Sequence, residues 1–276
     1  MKNDQIRLLL SDLDGTLLQS DHLTVSGRTR AALRELKHHG VLLCACTGRV
    51  RCTLPPAIAE EGFDFCITSN GAACTDLRTN ERIFSTLLDA RQARLAYETL
   101  RPYPYVFEWY VRDEILLDRA TYNDWQNKIH SRWHKAYLGG GGGIIVDRIE
   151  DFWDAGVPDL EKLNVLRGDR AVPGDVDPLV ADGSFHITGS VGTALEISGS
   201  QANKGEGLKK LCAHLGMDEK NVIAFGDGRN DGPMLRRAGL GIAMANSTEE
   251  TKTVADAITL SNDDDGVADY LEKYIL

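Results

Sequence analysis

The sequence predicts an α/β protein, a doubly wound parallel sheet interrupted by an inserted domain of α+β type. Three observations predict it. A largely apolar run, Ile6–Ser11, leads into two carboxylates spaced i, i+2, Asp12 and Asp14, and then Gly15. A continuous apolar run of that length beside a turn signal fits a strand buried on both faces. Strand-length apolar runs then alternate with amphipathic helix patterns up to about residue 71 and again from Lys204 onward. That alternation implies parallel strands with right-handed crossovers. Between these stretches, residues 85–198 hold most of the aromatics, including all four tryptophans, without strict alternation.

Each element has its own warrant. After the first strand, Thr24 and Ser26 are N-cap candidates for a helix over Gly27–His39, with Ala31, Leu33 and Leu36 as its apolar stripe and Gly40 as its stop. Val41–Thr47 reads as a second buried strand. A helix starting near Pro55 and Pro56 follows, then a third strand over Phe63–Thr68 and a small hairpin of Ala73–Thr75 with Arg82–Ser85. In the middle segment, Asp89–Leu100 and Tyr122–Tyr137 read as helices. Tyr105–Tyr110, Glu114–Leu117, Leu160–Arg167, Ser184–Thr188 and Ala194–Ile197 read as strands, and the five glycines Gly139–Gly143 as a mobile loop. The first pattern resumes with a helix at Gly205–Leu215, a strand at Val222–Phe225, a helix at Pro233–Ala238 and a strand at Leu240–Ala245. Thr248–Ala255 is a helix, Ile258–Leu260 a short strand and Val267–Tyr274 a last helix. The expected division is a discontinuous core, 1–84 with 199–276, and an insert, 85–198.

Composition narrows the function classes. Lys plus Arg number 31 against 41 Asp plus Glu, a formal charge of −10. This balance argues against a nucleic-acid surface, which needs a basic patch, and means that any anion site needs its own local cations. No 18-residue apolar run and no basic-then-apolar N-terminus occurs, so neither a membrane span nor a secretory signal is expected. The six cysteines show no paired CxxC spacing and read as buried reduced thiols of a cytoplasmic protein.

Four clusters fall at expected strand ends or just before a helix: Asp12/Asp14, Thr47-Gly48-Arg49, Lys204, and Asp227 through Asp231. In an open α/β sheet, ligands bind outside the carboxyl ends of the strands at a topological switch point, so clusters nearly 200 residues apart can meet there. On an extended chain i and i+2 share a side, and two acids so close repel unless a cation or a proton sits between them. Asp12, Asp14 and Asp227 offer hard oxygen ligands, too few for a Ca²⁺ cage but suited to Mg²⁺ shared with a phosphate. An Asp carboxylate can also attack phosphorus. The Thr47 hydroxyl, the Gly48 amide and Lys204 are donor types that a phosphoryl-transfer site needs. Taken singly, each cluster has a plain reading as a turn, a solvated lysine or an Asx-rich loop; together and in order they weigh against it.

The Asp12-Leu13-Asp14-Gly15-Thr16 stretch resembles the first motif of the haloacid dehalogenase (HAD) superfamily. Thr47-Gly48-Arg49, Lys204-Gly205 and Gly226-Asp227-Gly228-Arg229-Asn230-Asp231-Gly232-Pro233-Met234-Leu235 resemble its second, third and fourth motifs. Their order, Asn70-Gly71, and Asn262-Asp263 followed by Gly266-Val267 are similar to the Cof-type phosphatases, in which a large α/β cap is inserted between the second and third motifs. The resemblance implies a Rossmann-like HAD core and a cap that selects substrate. It implies Asp12 as nucleophile and Mg²⁺ ligand. Asp14 would be general acid, then base, and a metal ligand through its carbonyl. Lys204 would neutralise Asp12 and phosphate, with Asp227 and Asp231 at the metal. Thr47, Gly48, Arg49, Asn70, Gly71 and Asn230 are the implied phosphate or substrate positions.

The expected activity is that of an Mg²⁺-dependent phosphatase forming an aspartyl-phosphate. Its partner would be a small phosphate ester, a sugar phosphate first and a phosphorylated cofactor second. A phosphomutase on the same scaffold, a non-catalytic metabolite binder and, remotely, a calcium-stabilised module are the rival readings. On the insert, His130 and His134 stand at i, i+4 near Trp133. With no third ligand nearby, they read as a substrate-facing or exposed face rather than a metal pair. Asp263-Asp264-Asp265 reads as a solvated turn.

Overall fold

A computed structural model of the chain describes residues 6–128, 132–154, 156, 159–189 and 194–276. The strands are β1 (Leu8–Ser11), β2 (Leu42–Cys46), β3 (Phe65–Thr68), β4 (Ala73–Asp76), β5 (Glu81–Ser85), β6 (Val106–Val111), β7 (Glu114–Asp118) and β8 (Ile144–Val146). They continue with β9 (Leu160–Leu166), β10 (Phe185–Gly189), β11 (Ala194–Gly199), β12 (Val222–Gly226), β13 (Leu240–Ala243) and β14 (Ala257–Ile258). The chain divides into two compact units. The first runs to Gly48 and resumes over Leu54–Ser85 and Asn203–Leu276; the second holds Arg49–Thr53 and Thr86–Ala202.

In the first unit the sheet order is β14-β13-β12-β1-β2-β3-β4-β5. It is parallel from β14 through β3, and the hairpin β4–β5 extends it antiparallel. Strand β1 is buried on both faces, as its unbroken apolar run requires. Leu9 packs with Leu33 and Leu36 of the helix Gly27–His38 and with Leu271 of the helix Gly266–Tyr274. Leu8 and Leu10 pack with Leu208 and Leu211 of the helix Lys204–His214 on the opposite face. Each of these buried leucines is worth roughly 1.5–3 kcal/mol relative to exposure. Ser26 caps the helix Gly27–His38, its hydroxyl accepting from the Thr29 amide at 3.1 Å. Because β1 lies between β2 and β12, the chain winds away from it in both directions, and the switch point falls at β1.

The second unit is a six-stranded sheet, β10-β11-β9-β6-β7-β8, antiparallel except for the β7–β8 pair. The β6–β7 turn uses Arg112 and Asp113, both at positive φ (52° and 68°), which a two-residue type I′ hairpin turn demands. On one face Phe107, Trp109, Leu163, Val165 and Ile197 pack against Ala93, Ala96 and Leu100 of the helix Ala90–Leu100 and against Leu179 of the helix Asp177–Asp182. The other face carries a polar row in register: Glu108 pairs with Asn164, Asn164 with Glu196, and Glu196 with Thr188. Within it Lys162 Nζ donates to Glu196 Oε1 at 2.7 Å and lies 4.6 Å from the centre of the Tyr110 ring. Asn164 Nδ2 donates to Glu108 Oε2 at 2.5 Å.

Several sequence expectations change here. Arg49–Thr53 clusters with the second unit: Val50 packs with Tyr110, Ile115, Leu117 and Leu138, and the Cys52 amide donates to Asp113 O at 3.0 Å. The helix expected over Tyr122–Tyr137 is broken at Asp124, and its described parts are Arg119–Asn123, Trp125–Lys128 and Arg132–Gly139. Its start moves to Arg119 because the Asp118 carboxylate caps the first turn, accepting from the Thr121 amide at 2.7 Å. The strand Ile144–Val146 and the helices Ile149–Asp154 and Asp177–Asp182 have no counterpart in the sequence reading. His130 lies outside the described residues, as does the Trp133 side chain. His134 is buried, not exposed, between Glu108 Oε1 at 2.9 Å and the Tyr110 hydroxyl at 3.2 Å. Asp263-Asp264-Asp265 forms the expected turn, with Asp263 and Asp264 exposed, and Asp263 also tethers it, its Oδ1 accepting from the Ser20 amide at 2.8 Å. All six cysteines are free; five are buried and Cys52 is half-buried. None of the described helices is long and apolar enough to cross a membrane.

Candidate active site

The first unit brings most of the sequence-derived clusters to the carboxyl ends of β1, β2, β3 and β12. Asp12 leaves β1 with its amide still on the parallel ladder, donating to Phe225 O at 3.0 Å. The chain then folds back, with Thr16, Leu17 and Leu18 amides all donating to Leu13 O. Gly15 makes this turn at φ +80°, and a Cβ there would stand 2.5 Å from Asp227 Oδ2. Only a residue without a side chain allows that approach. Thr16 Oγ1 donates to Asp227 Oδ1 at 2.8 Å, and Asn246 Nδ2 donates to Gly15 O at 2.7 Å.

Lys204 opens the helix Lys204–His214, capped by Asn203, whose Oδ1 accepts from the Glu206 amide at 3.0 Å. The lysine is 1% exposed, and its Nζ donates to Asp12 Oδ1 at 2.7 Å and to Asp231 Oδ1 at 2.6 Å. Asp231 is wholly buried. Its Oδ2 accepts from the Asp227 and Gly228 amides at 2.9 and 2.8 Å, so one carboxylate shapes the loop and holds the lysine. Asn230 Nδ2 donates to Asn70 Oδ1 at 3.0 Å, and the Asn70 amide donates to Thr47 O at 3.0 Å. Gly71, at φ +98°, packs against the Asn203 carbonyl so closely that any Cβ would collide with it. Asp14 Oδ1 lies 2.8 Å from His22 Nδ1. Arg49 is buried in the second unit, where Nη1 donates to Thr53 O at 3.1 Å.

Three carboxylates, Asp12, Asp227 and Asp231, offer oxygen atoms within 4.8 Å of one another, and one ammonium, Lys204, bonds two of them. The balance is short of positive charge, and the acid–base behaviour reflects it. Burial, then the neighbouring Asp231, holds Asp12 well above the usual carboxylate range, against the pull of Lys204. Burial and Asp231 likewise raise Asp227 to about 6. Burial works against the charge on Lys204, but Asp12 and Asp231 hold its pKa well above the usual value. Hard oxygen donors with uncompensated negative charge fit a small divalent cation of the Mg²⁺ kind.

Residues 9–271 match the family model of the haloacid dehalogenase-like hydrolases. The chain belongs to that family. It is 29% identical over 274 residues to a 5-amino-6-(5-phospho-D-ribitylamino)uracil phosphatase of Bacillus subtilis, covering 98% of this chain and 96% of that one. It is 26% identical over 269 residues to a phosphoglycolate phosphatase of Methanopyrus kandleri, covering 97% of each. Among solved structures, a haloacid dehalogenase-like hydrolase from B. subtilis superposes with a TM-score of 0.82 at 26% identity, covering 98% of this chain and all of that one. The HAD enzyme belongs with the phosphoric monoester hydrolases, as its full-length relatives do.

Sequence reasoning passed over three residues that the geometry places at these loops: Thr16 on Asp227, Asn246 on the Gly15 carbonyl, and His22 on Asp14. Thr16 sits inside the first motif, so its signal was present. Nothing in the spacing of His22 or Asn246 points to Asp14 or Gly15, because both contacts depend on how the loops fold back.

Proposed function

We propose that the protein is an Mg²⁺-dependent phosphatase that hydrolyses a small phosphorylated metabolite, a sugar phosphate first, through an aspartyl-phosphate on Asp12. The observation that carries this reading is the buried Lys204 ammonium bonded to both Asp12 and Asp231 at the switch point of the sheet. An ionised carboxylate hydrogen-bonded to a fixed cation is a competent nucleophile toward phosphorus, and a divalent cation beside Asp12 would favour that ionised form against its burial.

In this scheme an Asp12 oxygen forms the bond to phosphorus as the ester oxygen departs, and Asp14 passes its proton to that oxygen. Asp14 then takes a proton from the water that attacks phosphorus, and inorganic phosphate leaves Asp12 free. The Thr47 hydroxyl and the Gly48 amide would hold the transferring oxygens, with Asn230 and Asn70 beside them, and Arg49 and Gly71 as further substrate positions. Asp12, Asp227 and the Asp14 carbonyl would hold Mg²⁺. That ion would offset the charge that builds on the equatorial oxygens in the transition state. Asp231 has Oδ2 committed to two amides and Oδ1 to Lys204, so it suits orienting that lysine and the loop better than direct ligation. The first unit would serve as catalytic core and the second as the cap that selects substrate.

Turnover of a phosphate-ester panel, read as released inorganic phosphate, tests the reading. Loss of activity in Asp12→Asn and in excess chelator is expected. Full activity in either case rejects the nucleophile or the metal assignment.

A further inference from the structure

The loop after Asp14 contains a residue that this scheme leaves without a task. His22 sits at φ +60°, a left-handed conformation that a side-chain-bearing residue adopts at a cost. The loop is held there from within and from the far end of the chain. The Gln19 amide donates to Thr24 O at 2.9 Å and the His22 amide to Gln19 O at 2.8 Å. Asp21 Oδ1 accepts from the Leu23 and Thr24 amides at 2.8 and 2.9 Å. Thr24 Oγ1 donates to Asp21 Oδ2 at 2.7 Å. Asp263 takes both the amide and the hydroxyl of Ser20, and Asn262 Nδ2 donates to Leu18 O at 2.9 Å.

These bonds fix a backbone that sets His22 Nδ1 2.8 Å from Asp14 Oδ1, between two partly buried groups. We propose that His22 is a positioning residue for Asp14. Its Nδ1–H, donated to Oδ1, sets the plane of the carboxyl group and leaves Oδ2 as the atom that carries the transferable proton. When the bond from phosphorus to the ester oxygen breaks and the bond to Asp12 forms, that proton passes from Asp14 Oδ2 to the departing oxygen. The proposal rests on the reading of Asp14 as general acid. A merely structural His22 would brace the loop without favouring one oxygen over the other.

The two roles separate by leaving group. An alkoxide leaving group needs a proton as it departs, whereas p-nitrophenolate departs without one. The test compares kcat/KM for glycerol or sugar phosphates and for p-nitrophenyl phosphate in the Mg²⁺-loaded full chain, its His22→Ala and Asp14→Asn variants, and the double variant. His22→Ala is expected to lower kcat/KM on the alkyl esters about tenfold, a fraction of what a general acid supplies, and on the aryl ester less than twofold. In the Asp14→Asn background it should cost nothing further, since coupled residues are non-additive. His22→Asn, which tolerates positive φ and presents an N–H, should restore most of the alkyl-ester rate. Equal loss on both ester types, no loss on alkyl esters, or a full extra loss in the double variant overturns the role of His22 alone. Undiminished alkyl-ester turnover by Asp14→Asn overturns the general-acid assignment, and this proposal with it.

Discussion

Asp227 is raised to about 6, first by burial and then by the Asp231 carboxylate. Under the proposed metal assignment a cation would bind the deprotonated form, so protons and metal would compete at this residue. Mg²⁺ affinity of the folded protein is therefore expected to rise with pH through about 6; isothermal titration between pH 5 and 8 measures it. The same shift acts on stability in the metal-free chain. Between the ordinary carboxylate value of 3.8 and about 6, the folded state binds more protons here than the unfolded state. This group's contribution thus favours folding at low pH and is lost as pH rises through 6. At Lys204 the expectation is kinetic. Lys204→Met removes the ammonium bonded to Asp12 and Asp231, and kcat should fall on the order of 10²–10³, the scale of one lost electrostatic stabiliser.

At the scale of elements, the second unit's sheet separates its two faces sharply. Strands β6, β9 and β11 alternate apolar residues toward the helices with Glu108, Tyr110, Lys162, Asn164 and Glu196 on the other side. Lys162 is fully buried and paired with Glu196. Removing one member of a buried pair strands the other charge, so Lys162→Met should destabilise the protein by about 3–5 kcal/mol. The double change Lys162→Met with Glu196→Gln should recover much of that. Urea unfolding monitored by tryptophan fluorescence compares them. In the first unit the loop after β3 has its own sharp test. Gly71 combines positive φ with contact against the Asn203 carbonyl. Gly71→Ala is expected to cost about 1–3 kcal/mol in the same measurement and to lower activity, because Asn203 caps the helix that presents Lys204.

At the scale of the whole molecule, the two units have separate apolar cores, and the acidic cluster lies in the first alone. Mg²⁺ at 100 times its dissociation constant should stabilise the fold to which it binds by roughly 2.7 kcal/mol. Hydrogen exchange should show that protection over residues 12–16 and 226–231, with strands β6, β9 and β11 unchanged. Protection confined to the second unit would reject the metal assignment.

The units were also unequally legible. In the first, each element carried its own local signal: the Ser26 cap, the unbroken apolar run of β1, the Gly15 turn and the motifs at strand ends. In the second, the helix Asp177–Asp182 and the strand Ile144–Val146 are too short for periodicity to register. Leu179, Ile149 and Phe152 are ordered by burial against the sheet rather than by their neighbours in sequence. Arg49–Thr53 looked like core for the same reason: local pattern cannot say which apolar cluster Val50 joins.

The sequence by itself determined the α/β class, the family, and the residue types that meet at the end of β1, because strand burial, turn chemistry and motif spacing are local properties of the chain. The tertiary structure alone decided which of those residues touch. Lys204 reaches Asp12 across 192 positions, Thr16 reaches Asp227 across 211, and His22 turns back onto Asp14. The first two contacts arise only when the strand order sets β1 beside β12 and the buried charges find the partners that make their burial tolerable; the third arises when the loop after Asp14 folds back.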